Sequence, residues 1–156
     1  MRRIALILAL ALLAAGCGSS DEGDTPEACL GGARAYLAAL ESADFELVRL
    51  ADGVPISDCL PENQSAGDLA TVGATLVEVA TKLNAQARQR HGAAATVQVG
   101  YLVGAVEKGA SETHGIHAEL LRRIEAAALY SPGGKPPPPP FDQRYRKGYA
   151  AGKDSG

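Results

Sequence analysis

The sequence lacks tryptophan and is poor in other aromatic residues, with two phenylalanines and five tyrosines among 156 residues. Large aromatic anchors for a hydrophobic core are therefore scarce. A core of this composition must be built mainly from alanine, leucine, valine and isoleucine. Because these side chains are small or compact, we expect the elements that form the core to pack closely together.

Signatures of catalysis are also missing from the sequence. No GxSxG nucleophile elbow, SxxK motif, Walker phosphate loop or dinucleotide-binding fingerprint occurs. Carboxylate pairs can be drawn from the 18 acidic residues, but no spacing singles out one pair. The sequence therefore indicates neither an enzymatic activity nor a cofactor.

Positive charge is not in excess. Lysine and arginine together number 15, and aspartate and glutamate number 18, so the net charge is −3 at neutral pH. Residues 1–16 contain two arginines and no acid, so a chain that begins at residue 17 has 13 basic and 18 acidic residues and a net charge of −5. This balance argues against a protein that binds nucleic acid.

The N-terminus has the features of a bacterial secretion signal. Arg2 and Arg3 form a positive start, and residues 4–15 are an uninterrupted apolar run. A helix of this length spans about 18 Å, whereas a bilayer core is about 30 Å thick. Residues 1–16 are therefore predicted to be a signal peptide and not a transmembrane anchor. The residues that flank a twin-arginine motif are missing, so we expect general secretion.

The end of this segment, Leu13-Ala14-Ala15-Gly16-Cys17, resembles the bacterial lipobox, in which small residues precede an obligatory cysteine. The resemblance implies that Cys17 receives a diacylglyceryl group and that cleavage follows Gly16. Leu13 lies four residues before Cys17, where three is the commoner spacing, and the looser form of the motif accepts this. The alternative is an ordinary secretory signal with an incidental cysteine. Two or three acyl chains would hold the protein stably at a membrane surface.

The rest of the chain divides by composition into four segments. About 105 residues lie between an acidic N-terminal stretch and a run of prolines, which is enough for one domain. The proline run is typical of a stiff polyproline II spacer of about 16 Å. The segments are a flexible tether (17–24), a helical domain (25–131), a Gly/Pro-rich linker (132–140) and a basic-aromatic C-terminal tail (141–156).

Apolar residues in the central segment recur at three- and four-residue steps, which predicts an all-α bundle of four or five helices. Residues 93–112 are apolar around their whole circumference, which indicates a central, buried helix. Residues 96–101 also alternate like a strand, but a single strand would have no partner. Helices are predicted to start at Thr25, to run from about Ala66 (with Ser65 as N-cap) to Arg90 before His91, from Ala93 to Glu112, and from Thr113 to about Tyr130.

With Cys17 assigned to the lipid, Cys29 and Cys59 remain as an even pair. In an oxidising compartment the default interpretation is a disulfide, which would tie the bundle together. The alternative is two unpaired thiols that ligate a metal. Neither a CxxC spacing nor a further cysteine supports that alternative.

Two pairs of residues are candidates for a ligand site inside the bundle. Asn84 lies beside the apolar seam of its helix, so it needs a buried partner or lines a groove, and Tyr101 is the aromatic residue of the apolar helix. His114 and His117 lie three residues apart, a spacing that can place two ligands on one metal, although solvated side chains explain the pair equally well. Gly100 and Gly104 are attributed to close helix packing.

The C-terminal tail repeats an aromatic residue every four positions and carries basic residues between them. Either the aromatic edge docks on the bundle as a short helix, or the tail contacts anionic lipid or a wall polymer. The aromatic residues are Phe141, Tyr145 and Tyr149, and the basic residues between them are Arg144, Arg146 and Lys147.

Several stretches of the domain resemble uncharacterised small helical lipoproteins of high-GC actinobacteria. The resemblance implies an extracytoplasmic lipoprotein of the cell envelope and names no activity. We expect a non-enzymatic module that contacts the membrane through its lipid and binds an envelope protein or wall component, or alternatively a carrier of a small ligand or metal. The stretches that carry the resemblance are residues 56–60, 67–73, 83–84, 115–120 and 130–134.

Overall fold

The computed structural model describes residues 24–89 and 92–156, and within them it contains five α-helices and no strand. The predicted all-α fold is confirmed. The signal peptide, Cys17, most of the tether and His91 lie outside the described residues. The helices are α1 (Gly32–Leu40), α2 (Ala66–Ala87), α3 (Ala93–Ser111), α4 (Ala118–Ala128) and α5 (Pro139–Ser155).

Helix α3 occupies the centre of the bundle. Val99, Leu102 and Val106 are fully buried, and α3 contacts all four other helices. Its apolar circumference explains this position, because a helix without a polar face is stable only when neighbours cover every side. The prediction of a helix at residues 96–101 is therefore confirmed against the alternative of a strand.

Helices α3 and α5 pack with their backbones in direct contact. The contact is made by Gly100 and Gly104 on α3 and by Gly148 and Gly152 on α5. A Cβ atom at any of these four positions would overlap a carbonyl oxygen of the opposite helix. Two glycines spaced four apart on each helix thus allow an approach that alanine would prevent.

The Cys29–Cys59 disulfide is formed, as predicted, and both cysteines are fully buried. It joins two 3₁₀ turns, Glu27–Leu30 and Ile56–Cys59, across a sequence separation of 30 residues. The second turn packs on α3 and also reaches the end of α5, because the Ser57 hydroxyl donates to the Gly156 carbonyl at 2.7 Å. The disulfide thereby fixes the N-terminal segment to the centre of the bundle.

Two helix starts differ from the prediction. Thr25 does not cap a helix; its Oγ1 accepts from Gln64 Nε2 at 3.0 Å, and α1 begins only at Gly32, whose φ is +72°. Thr113 does not begin α4 either, because its hydroxyl donates to the Ala110 carbonyl and closes the end of α3. His114 has a φ of 51°, so the chain turns before α4 starts at Ala118. A long-range hydrogen bond at Thr25 and a bond to the preceding turn at Thr113 outweighed the local N-cap propensity.

The predicted N-cap of α2 is confirmed, because Ser65 Oγ accepts from the Asp68 amide at 3.1 Å. The C-terminal tail forms the greater part of α5, which starts inside the proline run. Pro139 and Pro140 occupy the first turn, where a missing backbone N–H costs nothing. In the part of the chain that the structure describes, no helix combines the length and apolarity needed to cross a membrane.

Replacing Gly148 by alanine should destabilise the fold by about 3 kcal/mol, because the new methyl group must push α3 and α5 apart. The matched control is Gly67→Ala in the first turn of α2, where the new Cβ would meet only Ser65 Oγ at 3.9 Å. Alanine should stabilise that exposed position by about 0.5–1 kcal/mol. Urea unfolding followed by circular dichroism measures both effects, and equal stability of the two variants would contradict the glycine contact.

Candidate functional site

The candidate site is a surface groove between the C-terminal end of α4 and the first turns of α5, with a cavity volume of about 280 Å³. We refer to it as the α4–α5 groove. It combines apolar and aromatic walls with carboxylates, and it is open to solvent on one side. Its lining residues are Glu125, Ala128, Leu129, Tyr130, Pro137, Phe141, Asp142 and Tyr145.

The end of α4 that forms one wall is held by Asn84 of α2. Its Nδ2 donates to the carbonyl oxygens of Ala127 at 2.8 Å and Leu129 at 3.0 Å. Its Oδ1 accepts from Arg88 Nε at 3.2 Å, and Asn84 itself is 3% exposed. The predicted buried partner is therefore present. Asn84 is not among the lining residues, so it positions the groove and does not face a ligand there.

An aromatic wall follows from the same arrangement. Because α4 ends where Asn84 holds it, Tyr130 meets Phe141 of α5 with ring centres 4.7 Å apart. The Arg88 guanidinium lies 5.4 Å from the centre of the Tyr130 ring and also donates to the Leu129 carbonyl at 3.1 Å. The rings are thus fixed by contacts on several sides, and the groove is preformed.

The polar lining of the groove carries negative charge. Asp142 pairs with Arg146 at 2.8 Å, one turn further along α5. Glu125 makes no hydrogen bond or ion pair with any residue in the described ranges 24–89 and 92–156. Burial raises the pKa of Tyr145 to about 12, and the charges of Glu125 and Glu107 contribute in the same direction. The tyrosine therefore stays neutral at physiological pH.

Beyond the groove, Glu107 of α3 holds the middle of α5. It accepts a hydrogen bond from the Tyr149 hydroxyl and lies 2.9 Å from Lys153 Nζ. These two contacts, the tyrosine bond first, hold the pKa of Glu107 below its usual range. In return the bond to Glu107 raises the pKa of Tyr149 to about 12. This cluster therefore joins α3 to α5, and Tyr149 and Lys153 are both engaged by Glu107.

The structure separates the predicted tail residues into two sets. Phe141, Tyr145 and Tyr149 pack against the bundle, which confirms the alternative in which the aromatic edge docks as a helix. Arg144, Arg146 and Lys147 remain exposed to solvent, although the Lys147 ammonium also lies over the Phe45 ring. A contact with lipid or polymer through aromatic and basic side chains together would require this packing to open.

Tyr101 lies away from Asn84, in a different part of the bundle. It is 1% exposed, and its hydroxyl donates to the Phe45 carbonyl at 3.3 Å. It lines a second cavity of about 290 Å³ between α1, α3 and α5, which Lys147 closes on the α5 side. The Lys147 ammonium lies 5.8 Å from the centre of the Phe45 ring. Of these two candidate residues, Tyr101 lines this cavity and Asn84 does not.

His114 and His117 do not face a common metal position. The His114 side chain is 82% exposed and lies 3.1 Å from Glu62. His117 is fully buried, with Nε2 at 2.9 Å from Gln64 Oε1 and Nδ1 at 2.9 Å from Thr113 Oγ1. Among the residues that the structure describes, no three His, Cys, Asp or Glu side chains come together as ligands. The left-handed turn at His114 separates the pair, which the spacing alone did not reveal.

Sequence reasoning missed most of the groove. It singled out Phe141 and Tyr145, but as parts of a surface tail, and it did not identify Glu125, Tyr130 or Asp142. The only signal for them was their position at the two ends of the Gly/Pro-rich linker. Residues that flank a short connection between helices lie close together when the helices are antiparallel neighbours.

Comparison with known proteins adds no assignment. No family model matches the sequence, and no curated protein and no solved structure is significantly similar to it. The resemblance to actinobacterial lipoproteins remains a prediction from the sequence.

Burial lowers the pKa of His117 below its ordinary value of 6.5, so the folded protein binds this proton less tightly than the unfolded chain does. The unfolded chain takes up the proton at higher pH, so the stability that depends on His117 is present above pH 6.5 and lost as the pH falls below it. His117→Gln should flatten the fall in unfolding free energy below that pH, and His114→Gln at the exposed neighbour should not. Urea titrations between pH 7.5 and about 5 measure the slopes; an unchanged slope for His117→Gln would refute the assignment.

Proposed function

We propose that the protein is an extracytoplasmic lipoprotein, held at a membrane surface by acyl chains on Cys17, and that it binds an envelope protein or wall component without catalysing a reaction. The observation that carries this proposal is the buried Cys29–Cys59 disulfide. It occupies two of the three cysteines and leaves Cys17, inside the lipobox-like sequence, as the remaining one.

The disulfide supports the location as well as the anchor. Structural disulfides persist in oxidising compartments outside the bacterial cytoplasm and are rare inside it. A closed loop of this length stabilises a small domain by about 3–4 kcal/mol in the loop-entropy account. A bundle with few aromatic residues in its core gains a large share of its stability from such a cross-link. We therefore expect it to fold in a compartment where the disulfide can form.

The α4–α5 groove supports the binding role. It is preformed by Asn84 and by the Tyr130–Phe141 contact, and it opens to solvent beside Leu129, a leucine that is 64% exposed. An exposed apolar residue beside a fixed aromatic wall is typical of a protein-contact surface. The tether predicted from the sequence over residues 17–24 would let the anchored domain turn this surface toward a partner.

A small-ligand carrier is the second candidate, and the cavity beside Tyr101 favours it. This cavity of about 290 Å³ has mainly apolar walls, and its charged lining consists of one carboxylate, Glu41, and one ammonium group, Lys147. Such a lining suits a small, mainly apolar ligand and favours neither sign of charge. The metal version of a carrier has no comparable support, because His114 and His117 point to different partners.

Replacing Cys17 by serine should abolish lipid attachment and release the protein from the membrane fraction. Cells fed an alkyne fatty acid should label the parent chain but not Cys17→Ser. The control is the double variant Cys29→Ser/Cys59→Ser, which removes two cysteines but keeps Cys17, and which should retain the label even if the domain is less stable. A label that persists on Cys17→Ser would overturn the anchor, and a chain that stays in the cytoplasm would overturn the location.

A photo-crosslinking residue at position 129 should capture a partner in intact cells, because Leu129 borders the groove. Leu47 is the matched control, since it is 68% exposed and is not among the residues that line either cavity. A reproducible adduct at 129 that is absent at 47 would support the groove as the binding surface. Identical adducts at both positions, or none at 129, would count against it.

A further inference from the structure

We infer that the α4–α5 groove receives the cationic end of an arginine or lysine side chain from an extended segment of a partner protein. This inference rests on the proposed binding role and adds the chemistry of the partner. Three properties of the groove lead to it: its aromatic faces, the sign of its charged lining and its size.

The aromatic faces come from Tyr130, Phe141 and Tyr145, which all line the groove. A cation within about 6 Å of a ring centre is attracted by the negative face of the ring. The molecule already contains one such contact at the edge of this site, where the Arg88 guanidinium lies 5.4 Å from the centre of the Tyr130 ring. The same wall can therefore accept a second cation from the open side of the groove.

The charged lining consists of two carboxylates and no basic side chain. Asp142 is partly neutralised by Arg146, but Glu125 has no ionic or hydrogen-bonded partner among the described residues. A basic side chain would bring the missing partner for Glu125.

An anionic ligand is disfavoured at the same place, although a helix begins there. Phe141 and Asp142 are the first residues of α5 that have a backbone N–H group. Both N–H groups donate to the Pro138 carbonyl, at 2.9 and 3.1 Å. Pro139 and Pro140 carry no N–H group. The helix start therefore offers no backbone donors to an anion, which removes the usual reason for anion binding at such a position.

The size of the groove accommodates one long side chain. Its volume is about 280 Å³. Leu129 and Pro137 can supply apolar contact for the methylene stem, and Glu125 and Asp142 can pair with the charged end. A long basic side chain has both parts.

The test uses the full-length protein in a non-ionic detergent and fluorescein-labelled twelve-residue Gly/Ser peptides. One peptide carries two arginines, and the other carries two citrullines, which keep the shape of arginine and remove its charge. Fluorescence anisotropy should give a Kd for the arginine peptide that is about tenfold lower than for the citrulline peptide. Glu125→Gln should weaken binding of the arginine peptide by about threefold to tenfold.

Glu119→Gln is the control, because Glu119 lies on the same helix, is exposed and does not line the groove. It should change the Kd by less than about twofold. Equal binding of the arginine and citrulline peptides, or an equal loss in the Glu119 and Glu125 variants, would overturn the inference. So would blocked arginine amide binding as tightly as the peptide, which would point to a small free cation. None of these results bears on the fatty-acid label at Cys17 or on the adduct at position 129, so the proposed function is tested separately.

Discussion

The contact between α3 and α5 is the constraint on which the rest of the structure depends. Four glycines bring the two backbones together, and this places α5 against the centre of the bundle although its sequence is polar and rich in basic residues. Once α5 lies there, Tyr149 reaches Glu107, and Phe141 reaches Tyr130. The glycine contact therefore places the α5 wall of the groove, and the hydrogen bonds from Asn84 to the end of α4 place the opposite wall.

A second set of constraints holds the other end of the molecule. The disulfide joins the turns around Cys29 and Cys59, and Gln64 extends this cross-link because its amide donates to the Cys59 carbonyl and accepts from His117. The buried imidazole thus connects the start of α4 to the disulfide loop without any ionic bond. Protonation of His117 would therefore destabilise the start of α4. The other end of the same helix forms one wall of the groove.

Much of the architecture follows from local sequence signals. The number and type of helices, the cap at Ser65, the disulfide and the small-residue packing at Gly100 and Gly104 were all predictable, because each depends on composition or on spacing along one segment. The starts of α1 and α4 were not. Thr25 and Thr113 are both good N-cap residues, but each hydroxyl makes another hydrogen bond. Thr25 accepts from Gln64, which is distant in sequence, and Thr113 donates to the Ala110 carbonyl at the end of α3.

The sequence by itself determined the helical class and the identity of the paired cysteines, because these depend on residue order and composition. Only the folded structure decided that the aromatic residues of the tail pack against the bundle and that His114 and His117 separate. It also decided that Glu125, Tyr130 and Asp142 share one groove. The physical reason is that these arrangements depend on backbone turns and on contacts between helices, which spacing along one segment does not specify.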